Sequence, residues 1–496
     1  MDTFPTPADA TPPTAAPLTP QANRKRWLAF AVLGTGTLMN VLDTTIANIA
    51  SPAIQEQLGF SNADLAWVVN AYMLTLGGFL LLGGRLGDLY GPRRVFLIGL
   101  TIFTAASLAC GVAQTQTILI AARAVQGIGA ALVAAVSLSI VMNLFQDGPG
   151  RAKAMGIFAF IASGGGALGS LLGGFITAHF DWHWNFLINI PIGIAVYFGT
   201  LATVPNAPGT AKGRIDLAGA VTMTASLLLA VYAVVDAQGR GWTSSTTLLR
   251  LLGSAALLVV FVLLERRVAN PLVQLGMFRS RNIVASNVIG VLWAAAMFAW
   301  FFLSSLYMQD VLGFQPDTVG YAFLPANVIM AVFSIGLSAK LVQRFGVRVP
   351  LVAGLLLATV GLLLFARAPE GGDLWIDIVP GMALLGLGAG MAFNPLFLAA
   401  MSDAKPEEAG QASGLVNTSF MMGGALGLAI LTSYAASSTA GLAAAGVAPV
   451  AALNGGYHAA FLLAGTATLV ASLLGAFVLR VKNVAHGATD AAPAIH

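Results

Sequence analysis

Runs of about twenty apolar residues recur along nearly the whole chain, and that is the length a helix needs to cross roughly 30 Å of hydrocarbon. Such runs fall near 27–50, 63–83, 93–111, 117–145, 153–178, 185–203, 215–237, 247–265, 282–307, 318–339, 348–366, 377–400, 409–435 and 458–480. With 57% hydrophobic and only 9% charged residues over 496 positions, a soluble globular fold is excluded. The expected fold class is an all-α polytopic membrane protein with 14 transmembrane helices. The lone cysteine, Cys110, sits in an apolar run and cannot form an intrachain disulfide.

Lysines and arginines set the topology. With the N-terminus in the cytoplasm, only Arg240, Arg250 and Arg367 of the 24 fall outside, and Arg123 lies within a span. That bias favours both termini in the cytoplasm and an even number of spans. It also accounts for the formal net charge of +4 without a nucleic-acid partner.

The chain repeats itself. Gly346, Arg348 and Gly354 echo Gly91, Arg93 and Gly99 at an offset of 255 residues. Gly414 and Gly423-Gly424-Ala425-Leu426-Gly427 echo Gly156 and Gly165-Gly166-Ala167-Leu168-Gly169 at an offset of 258. Two duplicated six-helix bundles, 24–204 and 281–480, are therefore expected, with two unmatched helices in 205–280 between them. Residues 1–23, rich in Pro, Thr and Ala, read as a disordered cytoplasmic tail and not a signal peptide, and 481–496 as a second tail. Repeats of six spans with a site between the halves are a transporter signature.

Asp43 is the lone charge in the run from Trp27 to Ala50. A charge there costs about 2.5–3.5 kcal/mol on insertion scales, so it points to a cavity and a function. Asn40, Thr44 and Asn48 share its face at helical spacing and are candidate cavity residues, as are Asn70, Gln126, Asn327 and Asn394. The blander reading of Asp43 is a structural hydrogen bond. Arg123, in the fourth run, is expected at the same depth, roughly 10 Å below the outer surface at about 1.5 Å per residue. It can hold Asp43 ionised, while desolvation by a bound substrate opposes it. A permanent structural ion pair is the alternative.

Gly84-Arg85-Leu86-Gly87-Asp88-Leu89-Tyr90-Gly91-Pro92-Arg93-Arg94 reads as a tight cytoplasmic loop in which Asp88 can pair with Arg93 or Arg94, or cap a neighbouring helix N-terminus. It resembles the signature loop of the major facilitator superfamily. The stretches Leu42–Pro52, Arg123–Ala131 and Trp182–Pro191 resemble the first-helix, proton-linked and outer-loop motifs of that superfamily's fourteen-span drug:proton antiporters. The resemblance covers nearly the whole chain. It implies proton coupling through Asp43 and Arg123, and gating by Gly84, Asp88, Gly91 and Arg93. The sequence departs from the family where Ser170 replaces the proline of the fifth-helix motif and His183 replaces an arginine. Asn70 stands where exporters of multivalent cations carry an acid.

Gly165, Gly169, Gly173 and Gly174 serve either as a hinge or as close helix packing. Trp293, Trp300 and Tyr307 recur every seven residues; an aromatic face toward lipid is favoured over a substrate stack. Asn327 beside Pro325, and Asn394 beside Pro395, either line a cavity or satisfy freed backbone groups. No Walker motif, metal cluster or nucleophile–base pair is present, and the histidines fall outside the spans. The expected protein is therefore not an enzyme and needs no cofactor. It is expected to be a monomeric proton-coupled antiporter in a bacterial plasma membrane, exporting small lipophilic or cationic compounds. Its partners are protons, substrate and membrane lipids. A metabolite uniporter or symporter, or a membrane sensor that transports nothing, are the alternatives.

Overall fold

The computed structural model describes residues 19–145, 148–209, 216–268, 271–333, 337–403 and 409–481. Local chemistry starts and stops the helices. Helix α1 (Pro20–Leu58) opens with proline in its first turn under a Thr19 cap and closes at Gly59 in the left-handed region, φ +69°. The expected tail thus gives up Pro20–Asn23 to the first turn of α1; residues 1–18 lie outside the described residues. Ser61 caps α2 (Asn62–Tyr90), which ends at Gly91, φ +93°. Then follow α3 (Pro92–Gly111), α4 (Gln116–Leu144) capped by Thr115, α5 (Gly148–His179), α6 (Trp184–Leu187) and α7 (Asn189–Thr203).

Helices α8 (Leu217–Arg240) and α9 (Ser245–Glu265) follow. The remaining helices are α10 (Arg281–Leu306), α11 (Pro316–Ala322), α12 (Leu324–Val332), α13 (Ser338–Phe345), α14 (Arg348–Phe365), α15 (Val379–Met401), α16 (Ala409–Ala444) and α17 (Pro449–Phe477). Among the described residues, twelve helices are long and apolar enough to cross a membrane. The run expected at 318–339 is broken at Phe323 between α11 and α12, with Pro325 in the first turn of α12; residues 334–336, before α13, lie outside the described residues. The last run begins at Pro449, nine residues early, which places His458 inside a helix and corrects the expectation that histidines lie outside the spans. Its Nε2 lies 2.8 Å from the Ala368 carbonyl.

Two faces follow from the loops. On the terminal face, Arg93 donates to the Leu201 carbonyl, and Asn282 donates to Asp403 and to the Arg480 carbonyl. On the opposite face, Gln116 donates to the carbonyls of Leu58 and Gly59, and Tyr307 to that of Pro369. The stretch Gly84–Tyr90, expected as a loop, is the last turns of α2; only Gly91 makes a turn. A Cβ at Gly84 would meet nothing within 4 Å, so no tight turn demands glycine there.

The internal echoes become equivalent contacts. A Cβ at Gly99 would sit 2.9 Å from the Gly129 carbonyl, and one at Gly354 would sit 2.7 Å from that of Gly388. These glycines let α3 meet α4, and α14 meet α15, backbone to backbone. Gly165 and Gly169 of α5 press on Val41 and Thr45 of α1, while Gly423 and Gly427 of α16 press on Val291 and Ala295 of α10. Gly91 and Gly346 (φ +75°) both turn in the positive-φ region.

Helix α8 wedges between α2 and α16. Thr224 fills the space over Gly78, and Ser433 donates to the Val234 carbonyl. Helix α9 lies outside α8, held by reciprocal bonds between Ser226 and Ser254.

Candidate functional site

The Asp43 carboxylate is buried among four helices and a turn. Arg123 and Gln126 stand one turn apart on α4, so both side chains point from the same face toward α1. Arg123 Nη1 donates to Asp43 Oδ2, and Gln126 Nε2 donates to Oδ1 at 2.7 Å. Asn189, in the first turn of α7, donates to the same Oδ1 at 2.9 Å. Ser107 on α3 accepts from Gln126 Nε2 at 2.8 Å and fixes that amide's orientation. Gln126 Oε1 in turn accepts from Arg123 Nη1 at 2.7 Å.

The guanidinium is held from below as well. Its Nε donates to the Val68 carbonyl of α2 at 2.8 Å. Its centre lies 4.3 Å from the Tyr72 ring and 5.6 Å from the Phe186 ring, so two aromatic faces wall the charge. Asp43 is 1% exposed and Arg123 0%. Nη2 of Arg123 is buried without an acceptor, so two of the five guanidinium N–H groups go unused. Two such charges survive out of water only because donors and counter-charge are all in place.

In this arrangement the pair is neutral as a unit. A proton added to Asp43 would cancel its charge and leave the guanidinium with only carbonyl acceptors. That arrangement is unfavourable in so dry a site.

The remaining candidates are dispersed. Asn40 donates to the Ala130 carbonyl at 3.3 Å and Thr44 donates back to the Asn40 carbonyl, so both use their donors on helix backbone. Gln126 belongs to the Asp43 cage and not to a cavity wall. The Asn48 backbone carbonyl accepts from Ser305, and its Oδ1 is buried without a donor. Asn70 is fully buried with neither amide atom bonded. Asn327 donates across to Ser170 Oγ at 3.0 Å. Asn394 is half-buried on α15.

Gly165, Gly169 and Gly173 are packed on α1, and Gly174 lies under the Pro316 carbonyl, where a Cβ would come within 2.5 Å. Asp88 is exposed and, among the described residues, forms no ion pair with Arg93 or Arg94, correcting that expectation. Its partner in the expectation, Arg93, is turned toward Leu201 instead. Trp293, Trp300 and Tyr307 are each 1% exposed, so the stripe faces the protein interior and not lipid.

Residue-level reading missed Asn189, Ser107, Tyr72 and Phe186. Asn189 and Asn185 carried a signal, amides four residues apart opening an apolar run. Of the outer-loop motif Trp182–Pro191, the part from Asn185 onward lies in the run expected at 185–203, which the structure divides into α6 and α7 at Ile188.

With this geometry in hand, the kinship is clear. The Major Facilitator Superfamily model matches residues 33–428. The chain belongs to the Major Facilitator Superfamily. It is 36% identical over 438 residues to a puromycin resistance protein of Streptomyces alboniger, covering 88% of this chain and 87% of that one. It is 37% identical over 421 residues to a cephamycin export protein of Amycolatopsis lactamdurans, covering 83% and 86%. An auto-inhibited peptide transporter structure superposes with a TM-score of 0.68 at 17% identity, covering 93% of this chain and 98% of that one. At that identity the likeness speaks for the fold alone. The protein is thus a multi-pass membrane transporter of this superfamily rather than an enzyme.

Proposed function

We propose that the protein is a proton-coupled antiporter that exports small lipophilic or cationic compounds by alternating access. In this reading it has fourteen spans and both termini in the cytoplasm of a bacterium. Helix α5, 32 residues long, and the broken α11–α13 supply two spans beyond the twelve. The bundles are α1–α7 and α10–α17, with α8 and α9 inserted. The names of the relatives, puromycin resistance and cephamycin export, support efflux of antibiotic-like molecules.

The observation that carries the coupling is the buried Asp43–Arg123 pair with its three-donor carboxylate. Alternating access is supported by the closure of the face opposite the termini. There Ser305 donates to the Asn48 carbonyl, Gln309 to that of Ile49, and Gly320 packs on the Ser170 carbonyl. Asp88, Gly84, Gly91 and Arg93 lie on the other face, where a gate must operate. Gly91 is roofed by the Ala207 carbonyl of the linker after α7, so movement of α2 is transmitted to that linker.

Proteoliposomes with imposed gradients test this. One proton per cycle yields about 2.3 kcal/mol per 100 mV and about 1.36 kcal/mol per pH unit. A neutral substrate is driven by both terms, a monovalent cation by the pH term alone. Monovalent-cation export that survives nigericin, which collapses the pH gradient, would rule out one-for-one exchange through Asp43.

A further inference from the structure

Two carboxyl groups far from Asp43 in the fold are buried against each other. Asp216 and Glu265 are each 4% exposed. Asp216 caps α8, its Oδ1 accepting from the Gly219 N–H at 2.8 Å. Glu265 closes α9, its Oε2 accepting from the Val273 N–H at 3.0 Å. Each residue thus has one oxygen bonded to backbone. The other two, Asp216 Oδ2 and Glu265 Oε1, are buried without a donor. Both lie over Gly219, where an added Cβ would stand 2.6 and 2.7 Å from them. Glycine at 219 is what leaves room for the two groups to face each other.

The charged groups on the packed elements are Arg85 and Asp88 on α2, Arg266 and Arg267 beyond α9, and Arg279 in the short turn Leu275–Arg279. Helix α16 contributes none. Among the described residues no cation pairs with Asp216 or Glu265; Lys212 and Arg214 lie outside the described residues. Two carboxylates facing each other over one glycine, with no cation paired to either among the described residues, cannot both stay ionised in a dry site.

We propose that Asp216 and Glu265 form a second proton-binding site, with one proton shared between Oδ2 and Oε1 as a carboxyl–carboxylate hydrogen bond. Proton release converts the pair to two anions, and repulsion then drives the carboxyl groups apart. The consequence lies in what Glu265 holds. Val273 is bonded to it, and with Leu272 and Met277 packs against Leu81 of α2, Leu415 of α16 and Phe261 of α9. That strap touches helices from both bundles and the inserted pair. Occupancy of the proton site therefore fixes a strap that any relative movement of α2 and α16 must pass. The site does not depend on the antiport reading, because its proton is detected without transport.

The test uses the full-length protein in lipid nanodiscs, followed by infrared spectroscopy and by thermal unfolding from about pH 5 to about pH 9. The wild type is expected to show the carbonyl band of a buried protonated carboxyl at neutral pH. The band should persist in the Asp43→Asn/Arg123→Gln variant and vanish in both Glu265→Gln and Asp216→Asn, each of which keeps its backbone hydrogen bond. The protonated pair is the stabilising form, so wild-type stability relative to Glu265→Gln should fall as pH rises, by up to about tenfold in the folding constant per pH unit. A spectrum unchanged by both substitutions, or identical pH profiles for wild type and both variants, would overturn the proposal. So would a rise in melting temperature with calcium chloride alone that Glu265→Gln abolishes, since that marks a cation site instead.

Discussion

Replacing Asp43 by asparagine is more than the removal of a charge. Both carboxylate oxygens accept hydrogen bonds, Oδ2 from Arg123 and Oδ1 from Gln126 and Asn189. An amide has one oxygen and one NH2, so in either orientation the NH2 of the introduced side chain would meet a donor. Arg123 would also keep its charge with no counter-ion at 0% exposure. Removing one partner of a buried pair costs about 3–5 kcal/mol. At about 1.36 kcal/mol per decade this is between two and four powers of ten in the folding constant. Arg123→Gln alone strands Asp43 with two neutral donors and should fall at the lower end. The double variant Asp43→Asn/Arg123→Gln removes both charges, and a coupling of at least about 2 kcal/mol should be recovered. Denaturant titration of the four proteins in one lipid mixture, read by tryptophan fluorescence, measures this cycle. Proton-driven transport should be absent from all three variants, including the double variant, when compared at equal amounts of folded protein, which separates coupling from folding. A single Asp43→Asn variant as stable as wild type, or a double variant as unstable as the sum of the singles, would refute the cage argument.

Gly129→Ala should abolish folded protein, because its Cβ would lie 2.5 Å from the Phe103 nitrogen and 2.7 Å from the Gly99 carbonyl; Gly84→Ala, with open space around it, should express like wild type, as size-exclusion yield will show. Ser170→Ala should leave the Asn327 amide buried and unbonded, at about 1–3 kcal/mol, and loosen the contact of α5 with α12, measurable as a longer spin-label distance across the opposite face. Asp88→Asn should change stability by no more than about 0.5 kcal/mol, because Asp88 is exposed, while slowing turnover through the gate; unaltered turnover in vesicles would remove Asp88 from the gating set.

The membrane character of the chain, its helices and the echoes between its halves are written in one-dimensional signals. Apolar length and loop charge are local quantities, and a lipid environment obliges each span to satisfy its own backbone. The echoed glycines were visible for the same reason, since close helix approach needs small residues at fixed spacing. The Asp43–Arg123 pairing was legible because a charge inside an apolar run demands a partner, and depth alone narrows the choice.

Tertiary structure decided everything that depends on which faces meet. Gln126 and Asn70 look alike in sequence, yet one orients a carboxylate and the other is sealed with both amide atoms unbonded. Asn189 reached Asp43 from 146 residues away because the first turn of α7 packs against α1, which the run at 185–203 does not reveal. The Trp293, Trp300 and Tyr307 stripe turned inward since helix periodicity sets a shared face but not its direction. Asp216 and Glu265, unremarked as separate charges at span ends, became a pair only when α8 and α9 packed side by side over Gly219. The order of residues determines the chemistry each helix offers along its length; rotation of each helix about its axis, set by packing, determines which of those groups meet.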